Sequence, residues 1–386
     1  MYDVIVIGGG PAGSHTARRL AERNYRVLVL EKNIGVGQKL CCTGIVGQEC
    51  VETFEIDSNV IVRQANSAML SSPSENTIHL YRPEPQAVIL DRSAFDTLMM
   101  ERAQRAGVEY RFNSRVIDAT IGSDRVDVTV TEGKKEYCVP AQAIVIASGF
   151  VPGLNGRLGL GEYKDHAIGA QAEVEAPLIE EVEVYFGDMA PDFFAWVAPT
   201  YPRMAKVGLI SRREPGKLLK RMLENLYKAG EITSKDAEIH YGGIPLKPPT
   251  RTYGERMVAV GDAAGQVKPT TGGGIYYGLI GAEIAADVLY QALADNDLSA
   301  KRLSSYERAW RRKLGGELRT GYWERKLFER LDERQIDQMF RIIKASGIDE
   351  ALLKAKDISF DWHSKTIKSL LKYQVLKLLF KIDRKS

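Results

Sequence analysis

The stretch Val4-Ile5-Val6-Ile7-Gly8-Gly9-Gly10-Pro11-Ala12-Gly13 constrains this chain more than any other. An apolar run of strand length breaks at three glycines, then resumes with helical spacing behind a proline at the first helical position. Gly8, Gly10 and Gly13 fit GxGxxG: the first permits a tight turn, the second lets backbone approach a pyrophosphate, and the third lets the helix pack on the strand. Phosphates are then expected at the helix N-terminus. With residues 3–7 as a strand, 11–24 as a helix and 27–31 as a second strand, the opening is a βαβ unit. Glu31 ends that second strand with a carboxylate able to accept from ribose hydroxyls. Such a unit binds the ADP half of a dinucleotide.

At 386 residues the chain is longer than a single core usually supports, roughly 250 to 300 residues, so more than one substructure is expected. A helix over 93–106 follows Asp91-Arg92, a hairpin-like region spans 110–139, and Ala143-Ile144-Val145-Ile146-Ala147-Ser148-Gly149 reads as another buried parallel strand. Residues 165–245 change character: Gly, Pro and aromatic residues punctuate short alternating segments, which predicts an inserted antiparallel sheet. The nucleotide fold returns at 257–262 and leads into a helix over 274–294. The expected division is 1–65, 90–164 and 246–300 for a discontinuous nucleotide-binding domain, 66–89 and 165–245 for a substrate-binding sheet, and 301–386 for a basic helical region.

Gly261-Asp262-Ala263-Ala264-Gly265, followed by Pro269 and the run Gly272-Gly273-Gly274-Ile275, is the most specific signal. A strand end carries Asp262 toward a ribityl chain. The following helix N-terminus offers bare N–H groups to the pyrimidine side of a flavin, where its dipole favours the negative charge of the reduced ring. Together with the opening βαβ unit this points to FAD.

The four cysteines, Cys41, Cys42, Cys50 and Cys138, have neither CxxC spacing nor the density of a disulfide scaffold. Cys50 and Cys138 read as small buried apolar groups. Adjacent cysteines make a strained disulfide, so Cys41 and Cys42 read as free thiols. Met1 runs into the first strand without a basic leader, and no apolar stretch nears the roughly 18 residues of a membrane span, so a cytoplasmic protein is expected. Residues 301–386 hold 22 Lys and Arg against 12 Asp and Glu, whereas the first 300 hold 31 against 38. The basic tail is open to two readings: a solvated helical surface, or a peripheral contact with the inner face of an anionic membrane. Over 362–386 an apolar stripe, Ile367, Leu371, Val375, Leu378 and Ile382, is flanked by lysines, which suits a membrane or a docked helix equally. No zinc spacing, Walker motif or hydrolase elbow is present, no metal is implied, and the basic excess lacks the aromatics of a nucleic-acid groove.

GxGxxG, Arg92 with Phe95-Asp96, and GDAAG with its glycine run resemble the FAD-dependent geranylgeranyl reductase family, within the p-hydroxybenzoate hydroxylase fold. The resemblance implies an α/β (α+β) fold: a Rossmann-like FAD domain, an inserted antiparallel sheet and C-terminal helices. Cys41-Cys42-Thr43-Gly44 is similar to the family's cysteine loop. Phe194-Ala195-Trp196-Val197-Ala198-Pro199 with Gly208 is similar to its aromatic substrate element, although Phe194 stands where tyrosine is usual and Gly208-Leu209-Ile210 replaces GxG. Carried over by position, FAD contacts are implied at Gly8, Gly10, Ala12, Gly13, Glu31, Cys42, Gly44, Arg92, Val116, Gly261, Asp262, Pro269, Gly273, Gly274 and Ile275. Substrate contacts are implied at Phe194, Trp196, Pro199 and Gly208, with proton delivery from Cys41 or Cys42.

The implied reaction is reduction of carbon–carbon double bonds in an isoprenoid chain of a lipid or prenyl substrate. The electron donor is left as NADPH, a ferredoxin or another carrier, and the oligomeric state stays open. Two rivals stand beside it. An aromatic monooxygenase commonly has Asp-Gly where Ser148-Gly149 stands, and a quinone-linked electron-transfer flavoprotein needs no alkene pocket.

Overall fold

The computed structural model describes residues 1–38, 41–354 and 359–362. The chain divides into two compact units, each gathered from three separate stretches. Met1–Lys39, Arg92–His166 and Gly243–Arg319 make the first; Leu40–Asp91, Ala167–Gly242 and Thr320–Ser386 make the second.

In the first unit five parallel strands lie in the order Met257–Ala259, Lys135–Ile146, Tyr2–Ile7, Val27–Leu30, Glu109–Arg111. The central strands Tyr2–Ile7 and Val27–Leu30 and the end of Lys135–Ile146 are runs of Val, Ile and Leu because both faces are covered there, as parallel sheets require, whereas edge strand Glu109–Arg111 is polar. Helices Pro11–Ala21, Arg92–Arg105 and Ile275–Ala294 pack together on one side. Toward the other side, Ile5, Ile7, Leu28, Leu30, Ile144 and Ile146 meet Val126, Val128 and Val130 of an antiparallel hairpin. The first helix stops at Ala21, short of the expected Asn24, whose φ of +66° is left-handed. Helix Ala300–Phe328 is anchored by two fully buried aromatics: Tyr306 donates to the Ala259 carbonyl (2.6 Å) and Trp310 Nε1 to Thr252 Oγ1 (2.9 Å).

Sequence reasoning expects a buried Cys138, but it is exposed. Strand alternation turns Val139 and Ala141 inward and leaves Cys138 on the outer face, with Thr129 Oγ1 3.9 Å away.

The second unit is a seven-stranded sheet in the order His240–Pro245, His166–Glu175, Met204–Ser211, Ala195–Pro199, Val182–Tyr185, Ser67–Ser71, Thr77–Tyr81. Pairing is antiparallel along most of it, with one parallel contact between Val182–Tyr185 and Ser67–Ser71. One face is core: Ala170, Ala172, Ala195, Val197, Val207 and Leu209 lie against helix Pro215–Lys228. The outer end of the opposite face is covered by Phe328, Ile336 and Phe340, which meet Phe186 and Ile78. A three-stranded sheet pairs Ile45–Gly47 and Ile61–Ala65 with Ala87–Leu90. That pairing draws residues 41–65 into the second unit, whereas the sequence division places them with the nucleotide-binding domain. The described residues after 300 are likewise divided between the units, at 319 and 320.

Among the described residues no helix is long and apolar enough to cross a membrane. The lysine-flanked apolar stripe from Ile367 to Ile382 lies outside the described residues.

Candidate active site

In the first unit the glycine turn is set by close backbone approaches. Gly8 has φ +107°, and a Cβ there would lie 2.4 Å from the Ala147 carbonyl; a Cβ on Gly13 would lie 2.1 Å from the Gly8 carbonyl. Any side chain at either position would force the turn open. A Cβ on Gly10, the N-cap of helix Pro11–Ala21, would instead meet nothing within 4 Å, and that cap makes no side-chain hydrogen bond. The helix therefore begins beside open space with N–H groups available to an anion. Buried Glu31 accepts from Gly9 N (2.9 Å) and Asn33 N (2.9 Å), which holds its carboxylate at the strand end. The Ser114 amide donates to the Glu31 carbonyl (2.9 Å), so the strand carrying Val116 starts beside it. The Val116 side chain packs into the sheet core, which leaves only its backbone for a ligand.

Gly261 has φ +65° and stands over Ala12: a Cβ there would be 3.2 Å from the Ala12 Cβ, so the two glycine-rich turns meet. Asp262 follows, and a Cβ on Gly274 would come within 2.7 Å of its Oδ1. Only a glycine lets this carboxylate lie across the start of helix Ile275–Ala294, which has no side-chain cap and no acidic residue in its first turn. Burial pushes the Asp262 carboxyl up to about 6, with the Arg92 guanidinium pulling the other way. Arg92 is itself held by Asp96, whose Oδ1 accepts from Nε at 3.1 Å and Nη2 at 3.0 Å. Sequence reasoning missed Lys268. It is buried beside Pro269, its N–H donates to the Gly273 carbonyl (3.0 Å), and its side chain runs along the glycine turn, with Cε 3.1 Å from where a Gly273 Cβ would be. The open space at Gly10, the oriented Glu31 and the bare helix start at Gly274 fit a dinucleotide flavin.

In the second unit Trp196, Gly208 and Gln171 are register partners across three neighbouring strands and share one face. A Cβ on Gly208 would lie 2.4 Å from Trp196 Cζ2, so the missing side chain makes room for the indole. Phe194 is on the same face, its ring 5.9 Å from that of Trp196 and 6.3 Å from Phe186. Pro199 is not: it is buried and alternates with Ala195 and Val197 on the helix-covered side, so it supports the strand rather than the aromatic face.

The cysteine loop is tied to that same face. Thr43 Oγ1 donates to Gln171 Oε1 (3.2 Å), and Gln171 Nε2 donates to the Cys42 carbonyl (3.3 Å). Lys206 Nζ donates to the carbonyls of Cys42 (3.4 Å) and Thr43 (3.3 Å). Cys41 lies against Gly242, where a Cβ would be 3.2 Å from the Cys41 Cβ. Burial pushes the Cys41 thiol up to about 12, helped by neighbouring Cys42 and opposed by a backbone hydrogen bond from Gly242. Near neutral pH it is a protonated thiol. Gly44 turns the loop with φ +84° and accepts from the Leu90 amide (3.0 Å). Polar residues on a strand face carry no motif, so Gln171 and Lys206 were invisible to sequence reasoning.

Comparison with known proteins decides the family. Residues 2–176 match the family described as pyridine nucleotide-disulphide oxidoreductase. Over 375 residues the chain is 30% identical to digeranylgeranylglycerophospholipid reductase 1 of Methanopyrus kandleri, covering 93% of this chain and 98% of that one. The chain belongs to the digeranylgeranylglycerophospholipid reductase family. The Methanocaldococcus jannaschii member is 29% identical over 367 residues, 90% of this chain and 93% of that one. A geranylgeranyl bacteriochlorophyll reductase-like protein of Thermoplasma acidophilum shares the fold, with a TM-score of 0.85 and 22% identity over 98% of both chains. Like others of the reductase family this chain is an FAD-dependent oxidoreductase, and the fold expected for it is the one found.

Proposed function

We propose that the protein reduces carbon–carbon double bonds of geranylgeranyl chains carried on a glycerophospholipid. The observation that carries this reading is the cysteine loop seated on the Trp196–Gly208 face, in a chain whose relatives are named for that reduction. An unactivated alkene has no carbonyl to polarise, so the protein's part is to orient the chain, exclude water and deliver a proton. Phe194 and Trp196, with Gly208 beneath the indole, make an aromatic surface of two tilted rings suited to an isoprenoid chain.

Reduced FAD, when bound, supplies the hydride that adds to one alkene carbon. Gly8, Gly10, Ala12 and Gly13 would hold its pyrophosphate and Glu31 its ribose. Asp262 and Arg92, with Gly261, Pro269, Gly273, Gly274 and Ile275, would hold its ribityl chain and ring. A thiol of the Cys41–Cys42 pair gives its proton to the other carbon, so that hydride and proton together add two hydrogens and leave a thiolate to be reprotonated from water. A thiol kept neutral by burial suits that step, because it reaches the alkene with its proton still attached. Peripheral membrane contact through the basic C-terminal helices belongs to the same proposal, supported by the charge surplus of residues 301–386.

The test is anaerobic. Dithionite-reduced protein is mixed with a digeranylgeranyl glycerophospholipid and the products are weighed by mass spectrometry. A gain of two hydrogens per double bond is expected, lost when Cys41 and Cys42 are both changed to Ala with flavin retained. Unchanged lipid beside a flavin that reoxidises rapidly with a quinone would overturn it.

A further inference from the structure

We infer that Gln171 and Lys206 form a two-point clamp that positions the Cys41–Cys42 loop on the aromatic sheet face, and that turnover depends on it. The inference rests on the proposed reductase reading for the step it serves, but the clamp itself can be measured without that reaction.

Lys206 and Gly208 are two residues apart on strand Met204–Ser211 and so share a face. Gln171, on the next strand, pairs directly with Gly208 and lies diagonal to Lys206. Both side chains rise from this face to the Cys42 carbonyl, which accepts one donor from each. The Gln171 Oε1 accepts from Thr43 while its Nε2 donates to the Cys42 carbonyl, so both ends of its amide face the loop and the amide cannot turn over without losing the bond to Cys42. Lys206 adds the Thr43 carbonyl, so two consecutive peptide groups are fixed by one ammonium. Gln171 is buried, and hydrogen bonds made away from water or to a charged donor are the ones that count. The loop contributes no strand of its own before Ile45, so these side chains do for residues 42 and 43 what a ladder does for a strand.

Neither residue touches the reacting atoms in this scheme; each acts through the loop and is a positioning residue. A proton donor misplaced by about an ångström loses rate steeply, while an apolar chain on the Phe194–Trp196 surface would keep its affinity. The expected signature is a fall in kcat with KM held.

The experiment compares FAD-loaded wild type with Gln171→Glu, Gln171→Leu, Lys206→Met and Lys206→Arg. Amide hydrogen exchange is read over residues 41–44 and, as an internal reference, over strand Ala195–Pro199. In Lys206→Met and both Gln171 variants, loop exchange is expected to speed by about tenfold with the reference strand unchanged, and kcat on the lipid to fall by about tenfold with KM within about twofold. Lys206→Arg restores both. Gln171→Glu keeps the side-chain shape but turns a carboxylate oxygen, in place of the donor, on the Cys42 carbonyl, so a folding failure in Gln171→Leu does not remove the test. Loop exchange within about twofold of wild type in Lys206→Met and Gln171→Glu, or exchange that speeds equally in the reference strand, would overturn the clamp. Faster loop exchange in variants of a protein whose wild type reduces no lipid would keep the clamp and remove the reaction assigned to it.

Discussion

Gly208 lies directly beneath the indole of Trp196, its register partner, at a spacing that leaves no room for a methyl group. Gly208→Ala must push the ring off the strand or bow the sheet. Overpacking of this kind costs about 1–3 kcal/mol. A lower denaturant midpoint is expected together with loss of lipid reduction, whereas Trp196→Ala in the same assay should lose reduction and leave the strand unstrained.

Gly274→Ala should act on the cofactor. Its methyl would crowd the Asp262 carboxylate that crosses the start of helix Ile275–Ala294. The expected outcome is protein purified with little flavin, read as loss of the yellow absorbance, with circular dichroism unchanged.

Asp262 also sets a pH dependence. Its carboxyl titrates near 6 because burial disfavours the charge. A carboxylate accepts from a ribityl hydroxyl with both oxygens, and a neutral acid less well, so FAD affinity should be flat above about pH 7 and weaken as pH falls through 6. Fluorescence titration of apoprotein with FAD checks this, and Asp262→Asn should flatten the curve at the weak end.

The Cys41 thiol should be slow to alkylate. With Cys42 changed to Ala, burial alone still holds the Cys41 thiol up, so iodoacetamide labelling of Cys41 is expected to rise about tenfold per pH unit and to keep rising past pH 9, because the thiolate is the nucleophile. Exposed Cys138 provides the reference in the same digest. A plateau below pH 9 would remove the neutral-donor role.

Glu283 predicts an acid limit to stability. Its carboxyl is held down to about 2 by hydrogen bonding from His15 and Arg19, which join helix Pro11–Ala21 to helix Ile275–Ala294. A depressed folded pKa stabilises the fold above the ordinary carboxylate value near 4.5, and that stabilisation is lost as pH falls toward 2. Thermal midpoints between pH 5 and 2 should therefore fall more steeply in wild type than in Glu283→Gln.

The nucleotide-binding half was legible in the sequence because its rules are backbone rules. A turn that must run against Ala147 or lie under Ala12 admits only glycine, and glycine spacing survives in the one-letter code. The alternating strands of the second unit were equally visible through their burial period. What escaped is chemistry carried by side chains on strand faces. Gln171 and Lys206 matter through a register that joins strands far apart in sequence, and no local pattern announces a register. Pro199 and Cys138 were misread for a related reason: a strand shows two faces, and which one is covered depends on elements elsewhere in the chain, helix Pro215–Lys228 for the one and the strands Tyr2–Ile7 and Val27–Leu30 for the other.

The parallel contact between Val182–Tyr185 and Ser67–Ser71 has a consequence for how the protein is made. Those strands are separated by the whole middle of the nucleotide-binding unit, whose own sheet waits for Met257–Ala259. A nascent chain can therefore finish neither sheet until more than half its length has been synthesised, and non-local closure of this sort folds slowly and exposes strand edges meanwhile. Neither unit can be cut out as one contiguous fragment, so translation speed and chaperone access should bear on the yield of folded protein.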